Sequence, residues 1–201
     1  GVFQAMRACA ETVWGTDSLQ GRRIAIQGFG NVASSLAAYL LDAGAELIVT
    51  DIHQAALRQA KQLPRTTTVA VETIYDTACD IFAPCALGGV LNHDTIPRLR
   101  CSVICGAANN QLAEAGDADL LTSRSILYAP DYIANAGGVT NVFYELERPY
   151  NRDAALAKTA RIYNTMKTVL DFSSTLGLST AAAADKMAED RLGKVKAARN
   201  R

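Results

Sequence analysis

The chain has 201 residues, which is enough for one domain with a sizeable hydrophobic core and an appended helical segment. Its 20 basic and 20 acidic side chains balance, so its charge gives no reason to expect nucleic acid or an anionic membrane as a partner. No apolar stretch is long enough to cross a bilayer and no signal peptide is visible, so we expect a cytoplasmic protein.

The first segment of the chain reads as a helix. Val2, Met6, Cys9 and Val13 recur at helical spacing, and Gly15 is a typical helix stop. A domain would not normally begin with such a helix. We therefore expect the sequence to belong to a longer protein, in which residues 1–14 form an interdomain helix.

Strand and helix patterns alternate over most of the remaining chain. Because this order is typical of parallel sheets with right-handed crossovers, the sequence predicts an α/β fold. More specifically, we expect a Rossmann-type, doubly wound, mostly parallel sheet with a C-terminal helical tail. The predicted strands and β-branched runs are 24–27, 47–50, 67–71, 80–84, 102–105 and 126–128; the predicted helices are 32–43, 54–63, 139–146, 153–174 and 181–199, with short helical pieces at 74–77 and 96–100.

The junction between the first strand and its helix carries a G-x-G-x-x-A pattern. Gly28 allows a tight turn, Gly30 lets the backbone approach a pyrophosphate, and the small Ala33 lets the helix pack closely on the strand. The helix N-terminus offers free N–H groups to phosphates. Asp51, after the second strand, would bind the ribose hydroxyls and repel a 2′-phosphate, which favours NAD over NADP. The alternative is an ordinary α/β turn that binds no ligand.

Polar or glycine-rich segments also follow the later predicted strands, at 84–89, 106–110 and 130–138. Ligands of such sheets lie beyond the carboxyl ends of the strands, so these loops predict one site at that edge. The five cysteines form no C-x-x-C motif and the two histidines have no metal-ligand spacing. We therefore expect reduced cysteines, mostly in the core, and no metal site.

Taken together, these loops resemble the cofactor-binding half of the leucine, phenylalanine and valine dehydrogenases, within the wider amino-acid dehydrogenase family that includes glutamate dehydrogenase. The matching segments are 27–33, 49–52, 83–89 and 106–112. The most specific segment is 127–139, which reads LYAPDYIANAGGV, and residues 177–191 also fit the family. The resemblance covers nearly the whole chain.

The resemblance implies a role for individual residues. In the family, the asparagine of the Ala-Asn-Ala-Gly-Gly segment also contacts the substrate carboxylate, which points to Asn135. Val139, Met166 and Val169 are apolar candidates for the substrate pocket, and the alternative that they are core residues stays open. The implied NAD contacts are Gly28, Phe29, Gly30, Asn31, Val32 and Ala33 at the pyrophosphate, Asp51 at the ribose, Ile52 at the adenine, Cys85 and Ala86 at the adenosine, and Ala107, Asn109 and Asn135 at the nicotinamide riboside.

The chain departs from the family in one respect. The family places a catalytic lysine, a second substrate-binding lysine and a catalytic aspartate in a preceding domain marked by a Gly-Gly-Lys motif, and this sequence has no such motif. We therefore expect no catalytic residue in this chain. Residues 1–150 would form the NAD-binding domain, residues 151–201 would be helices that pack back on the interdomain side, and the N-terminal catalytic domain would lie outside the sequence.

The resemblance implies an NAD-dependent oxidoreductase of amino-acid metabolism. It would catalyse the reversible oxidative deamination of an apolar L-amino acid, such as leucine or phenylalanine, to a 2-oxo acid and ammonia. The expected partner is that amino acid, and the full-length protein would be a homo-oligomer. Two alternatives stay open: a free-standing, non-catalytic dinucleotide-binding or sensing module, and another dehydrogenase with a separate catalytic domain. The amino acid and the oligomeric state also stay open.

Overall fold

The computed structural model of the chain describes residues 1–146 and 149–199. Its centre is a single sheet of six strands in the order β3-β2-β1-β4-β5-β6, in which every pair is parallel. This is the strand order of the doubly wound dinucleotide-binding fold. The predicted fold class is confirmed. The strands are β1 (Arg23–Gln27), β2 (Glu46–Thr50), β3 (Thr66–Thr68), β4 (Ile81–Pro84), β5 (Val103–Ile104) and β6 (Leu127–Tyr128).

Helices connect and follow the strands. Within the described ranges, none of them is long and apolar enough to cross a membrane. Short 3₁₀ helices at Val71–Asp76 and Ile96–Arg98 add two further turns. The α-helices are α1 (Val2–Trp14), α2 (Asn31–Asp42), α3 (Gln54–Ala60), α4 (Asp117–Ser123), α5 (Asp131–Ala134), α6 (Gly137–Leu146), α7 (Arg152–Ala160), α8 (Ile162–Leu176) and α9 (Thr180–Arg199).

The register of the sheet brings the carboxyl ends of its central strands level. Gln27 at the end of β1 lies opposite Thr50 of β2 and Pro84 of β4. Two further backbone hydrogen bonds extend the ladder, from Gly28 N to Thr50 O and from Cys85 N to Gln27 O, each 2.8 Å long. The loops after β1, β2 and β4 therefore start side by side.

Two hydrophobic clusters cover the two faces of the sheet. Ile24 and Ile26 of β1 lie in one cluster, together with residues of α1, α2 and α8. Ala25, between them in sequence, lies in the other cluster with Phe82 and Ile104. Successive strand residues point to opposite faces, so the central strands are buried on both sides, as a parallel sheet requires.

Several helical segments differ from the prediction, among them the four-residue helix α5, which lies within the segment 130–138 that the sequence predicts as a loop. Helix α4 was not predicted, since it has only seven residues and a short apolar pattern. The helix predicted to start at residue 139 begins at Gly137, so the expected glycine-rich turn is partly helical. A Cβ at Gly137 would lie 3.1 Å from the backbone nitrogen of Gly1, so this glycine permits close packing against the start of α1.

The long helix predicted over residues 153–174 is two helices, α7 and α8, which meet at Arg161. There the backbone N–H of Arg161 donates to Lys158 O, a bond that tightens the last turn of α7. The two helices have different main neighbours, because α7 packs on α6 whereas α8 packs on α1 and α9.

The packing of α8 predicts the stability of a core variant. Met166 is fully buried against the α1 side of the core, so Met166→Ala should lower the free energy of unfolding by about 2–5 kcal/mol in urea titrations. Leu156→Ala on α7 is a matched control, since Leu156 is 49% exposed and its loss should cost under about 0.5 kcal/mol. Equal effects of the two variants would contradict the placement of Met166 in the core.

Candidate functional site

The loop after β1 contains two glycines with different structural requirements. Gly28 has φ +91°, and a Cβ there would lie 2.9 Å from the backbone nitrogen of Ala86. The fold itself therefore requires glycine at position 28. Gly30 has φ −82°, and among the described residues nothing lies within 4 Å of the place where its Cβ would be. The fold does not require glycine at position 30, and the space above it is open.

Helix α2 begins at this open space. Gly30 is its N-cap residue, and no described side chain caps the helix. The first helical amides, which have no partner inside the helix, therefore face the open side of the loop. Val32 is 62% exposed there, whereas Ala33 is buried and packs the helix onto the sheet. The arrangement fits an anionic group at the helix N-terminus.

Asp51 links the end of β2 to the glycine loop. Its Oδ2 accepts a hydrogen bond from Phe29 N at 2.6 Å, and its Oδ1 accepts one from His53 N at 2.7 Å. A carboxylate has about four lone-pair sites, so both oxygens can accept further hydrogen bonds from a ligand. Ile52 beside it is 76% exposed, so its side chain is free to contact a ligand. The side chain of Phe29 is buried in the core, so only its backbone belongs to the loop.

The loop after β4 forms the opposite wall of the glycine loop. Ala86 touches Gly28 through its backbone and its methyl group. Cys85 and Ala107 are partly buried against the core, so they contribute small, apolar surfaces. Burial raises the pKa of the Cys85 thiol to about 11, so it stays a neutral thiol at physiological pH. All five cysteines are free, as the sequence predicts.

A second part of the site lies beyond β5 and β6. It is a cleft of about 490 Å³. In it the Asn135 side chain donates from Nδ2 to Oδ1 of Asn109 at 2.7 Å, so the two predicted asparagines form an amide pair. An amide has two N–H donors, and the second one of Asn135 can serve a ligand. The cleft is lined by Asn109, Asn110, Asp131, Tyr132, Asn135, Ala136 and Val139.

Sequence reasoning missed several residues of this cleft, above all Asp131. Its buried carboxylate accepts hydrogen bonds from Asn110 N at 2.5 Å and from the Tyr128 hydroxyl at 3.1 Å. Burial, and then the charge of Asp131, raises the pKa of Tyr128 well above its usual value, so Tyr128 remains a donor. The sequence feature that could have identified Asp131 is its position, because it is an acidic residue directly after Pro130, just beyond a predicted strand.

Tyr132 connects the cleft to the C-terminal helix. Its hydroxyl donates to Oδ1 of Asp185 on α9 at 2.7 Å. Burial, and then the hydrogen bond to Asp185, raises the pKa of Tyr132, which keeps the hydroxyl protonated. Asp185 itself is not among the residues that line the cleft.

The four predicted substrate residues divide into two pairs. Asn135 and Val139 line the cleft. Met166 and Val169 are buried on α8 and are not among the residues that line it, so the structure places them with core residues. Among the described residues, no three His, Cys, Asp or Glu side chains come close enough together to hold a metal ion.

The sheet order and the loops at its carboxyl edge define a doubly wound α/β domain of the dinucleotide-binding type. The sequence profile of the Glutamate/Leucine/Phenylalanine/Valine dehydrogenase family matches residues 1–57 and 49–198. The chain belongs to this family, as its loop motifs predict.

Individual relatives are similar over the whole chain. Leucine dehydrogenase from Bacillus cereus is 46% identical over 200 residues, which are 100% of this chain and 54% of that protein. Valine dehydrogenase from Streptomyces virginiae is 46% identical over 195 residues, or 96% of this chain and 54% of that protein. The crystal structure of L-tryptophan dehydrogenase from Nostoc punctiforme superposes with a TM-score of 0.92 at 40% identity, covering 96% of this chain and 58% of that one. The chain thus spans about half the length of the relatives it matches.

The contrast between the two loop glycines can be tested by stability alone. Gly28→Ala should destabilise the fold by at least about 1 kcal/mol, because alanine disfavours positive φ and its methyl group would meet Ala86. Gly30→Val should leave the far-UV circular dichroism nearly unchanged and should destabilise the fold less than Gly28→Ala, because its side chain enters open space and only the N-cap preference for glycine is lost. Comparable destabilisation by both variants would contradict the open space above Gly30.

Proposed function

We propose that this chain is the NAD-binding part of an amino-acid dehydrogenase that catalyses the reversible oxidative deamination of an apolar L-amino acid to a 2-oxo acid and ammonia. The observation that carries the proposal is the open space above Gly30 at the N-terminus of α2, next to a loop whose Phe29 N donates to the Asp51 carboxylate. Membership in the amino-acid dehydrogenase family supports the class of reaction.

The residues present fit a dinucleotide. The space above Gly30 would hold the pyrophosphate, whose charge the N-terminus of α2 would stabilise. Asp51, held by Phe29 N and His53 N, would accept hydrogen bonds from the ribose hydroxyls. The exposed Ile52 would pack on the adenine, and the small Cys85 and Ala86 would leave room for the adenosine.

The cleft at Asn135 would hold the reacting end of the cofactor and the substrate. Asn109 and Asn135 would orient the nicotinamide riboside, and the second N–H of Asn135 would bind the substrate carboxylate. Val139, 76% exposed, would offer an apolar surface to the amino-acid side chain. When bound, NAD would supply hydride acceptance, whereas the chain supplies binding and orientation.

The groups that move protons would lie in a further, N-terminal domain of the full-length protein. An amide does not titrate near neutral pH, so Asn135 cannot act as a general base. Val139, Val142, Phe143 and Leu146 form a stripe on α6 at helical spacing, and each is more than half exposed. A catalytic domain that closes over the cleft would cover this stripe, and the cytoplasmic full-length protein would assemble as a homo-oligomer.

The first test of the proposal is cofactor preference. The chain should bind NADH at least about tenfold more tightly than NADPH in fluorescence titrations, because Asp51 would repel a 2′-phosphate next to it. Asp51→Ala should weaken NADH binding and narrow this ratio, since it removes both the ribose contact and the repulsion. Gly30→Val should abolish binding of both nucleotides, because its side chain fills the phosphate space.

A matched control for charge is Asp42→Ala at the far end of α2, where the residue is exposed. It changes the net charge by the same amount and should leave the NADH-to-NADPH ratio unaltered. Equal affinities of the wild-type chain for the two nucleotides would refute the assignment of NAD to Asp51.

The second test is whether the chain is part of an enzyme. The purified 201-residue chain should bind NADH, yet reduce no NAD with leucine, valine, phenylalanine or tryptophan. In the full-length protein, Asn135→Ala should lower kcat/KM by about 10- to 100-fold, the size of a hydrogen bond to a charged group, with a smaller effect on NADH affinity. Asn164→Ala, which removes an exposed amide on α8, is the control and should leave the kinetics unchanged.

Turnover by the isolated chain would contradict the assignment of catalysis to another domain. A full-length protein that binds NADH but oxidises none of a panel of L-amino acids would instead support the non-catalytic binding or sensing module. Unchanged kinetics of Asn135→Ala would remove Asn135 from the substrate site.

A further inference from the structure

We propose that Asp131 is a positioning residue, which holds the Asn109–Asn135 amide pair in the geometry that the nicotinamide half of the cofactor requires. This inference rests on the proposed function. Asp131 itself would not contact the reacting atoms, since it would act through the two asparagines.

The carboxylate of Asp131 is buried and uses both oxygens. Asp131 is 9% exposed; its Oδ2 accepts from Asn110 N at 2.5 Å, and its Oδ1 accepts from the Tyr128 hydroxyl at 3.1 Å. A buried carboxylate is costly unless such donors compensate for the lost water. The Tyr128 hydroxyl also accepts from Asp131 N at 3.3 Å, which fixes the side chain of Asp131 against its own backbone. The carboxylate is thus held rigidly in one position.

The hydrogen bond to Asn110 holds a left-handed turn in place. Asn110 has φ +51°, in the left-handed region, which asparagine adopts more readily than most other residues that carry a Cβ. Its carbonyl accepts from Gly89 N at 2.7 Å, so the loop after β4 holds the same residue from the other side. A Cβ at Gly88 would lie 2.8 Å from the carbonyl oxygens of Asn109 and Asn110, which shows how closely the two loops pack. The turn that carries Asn109 is therefore clamped on both sides.

Asp131 also holds the second member of the amide pair. Its backbone carbonyl accepts from Asn135 N at 2.8 Å, within the turn that α5 forms. One residue therefore fixes Asn110, the neighbour of Asn109, through its side chain and Asn135 through its backbone. The 2.7 Å hydrogen bond between Asn109 and Asn135 closes this ring of contacts.

Two other aspartates on the cleft side of the sheet, Asp117 and Asp185, do not share this arrangement. Asp117 accepts from Glu114 N, only three residues away, which makes it a local turn contact. Asp185 is exposed and binds Tyr132 on the outer side of the cleft. The side chain of Asp131 reaches a loop 21 residues earlier in the chain, and that loop carries a predicted cofactor residue. Asp131 therefore fixes the position of the loop after β5 relative to the loop after β6.

The experiment compares NADH with ADP, which keeps the adenosine and the two phosphates but lacks the nicotinamide riboside. The dissociation constants of NADH and of ADP are measured on the 201-residue chain by calorimetry. The variants are Asp131→Ala, Asp131→Asn and, as the matched control, Asp185→Ala, which also removes a carboxylate that accepts from a tyrosine of the cleft region. ADP would use the Gly30 and Asp51 side alone, so it reports on the general integrity of the domain.

Asp131→Ala should weaken NADH binding about tenfold, on the scale of one hydrogen bond, and ADP binding less than about twofold. Asp131→Asn keeps an acceptor for Asn110 N and should give a smaller loss, about threefold, that is again confined to NADH. If Asp131→Ala does not fold, the affinities of Asp131→Asn test the positioning role by themselves. Asp185→Ala should change neither affinity by more than about twofold. Equal losses for both nucleotides, or no loss for either, would overturn the positioning role.

A double-mutant cycle tests whether Asp131 acts through the amide pair. In an Asn109→Ala background, Asp131→Ala should cause little further loss of NADH affinity, because the pair that it positions is already gone. Additive effects would overturn the inference. A wild-type chain that binds ADP as tightly as NADH would also overturn it, while the adenosine side of the proposed function would stand. A wild-type chain that binds neither nucleotide would refute the proposed function itself.

Discussion

Parallel pairing of the central strands is the constraint on which the rest of the site depends. Because β1, β2 and β4 end at the same level, the glycine loop, Asp51 and the Cys85–Ala86 segment leave the sheet together. A shift of one residue in this register would separate Gly28 from Ala86 and would turn alternate side chains to the wrong face. The packing of both faces, with Ile24 and Ile26 on one side and Ala25 on the other, opposes such a shift. Burial of the sheet and alignment of the site therefore have the same origin.

Two aspartates fix the loops that follow neighbouring strands relative to each other. Asp51, after β2, accepts from Phe29 N in the loop after β1, and Asp131, after β6, accepts from Asn110 N in the loop after β5. In both cases a carboxylate at the end of one strand holds a backbone amide that follows the neighbouring strand. Such charge-assisted hydrogen bonds are short and directional, so they fix the loops more firmly than apolar contact would. One aspartate organises the proposed adenosine half of the site and the other the proposed nicotinamide half.

The C-terminal helices α8 and α9 pack against the rest of the domain. Helix α8 packs on α1, and α9 approaches the cleft, where Asp185 binds Tyr132 and the Thr180 hydroxyl donates to Tyr128 O at 2.6 Å. The end of β6 is thereby tied to α9. Helix α6, in contrast, has no buried residue among those described and keeps an exposed apolar stripe beside the cleft. The domain is well packed around its sheet and open on the side where the proposed reaction would take place.

The sequence by itself determined the features that depend on short stretches of chain. The alternation of strands and helices predicted the fold class, and the spacing of Gly28, Gly30 and Asp51 predicted which loops meet, because both follow from local periodicity and from the rule that ligands lie at the carboxyl edge. Tertiary structure decided what depends on partners far apart in the chain. The break at Arg161 arises because α7 and α8 have different neighbours, and an apolar position such as Met166 has the same helical spacing whether it faces a core or a pocket. The role of Asp131 could not be predicted either, since it exists only when the register of β5 and β6 brings Asn110 within hydrogen-bonding distance of its carboxylate.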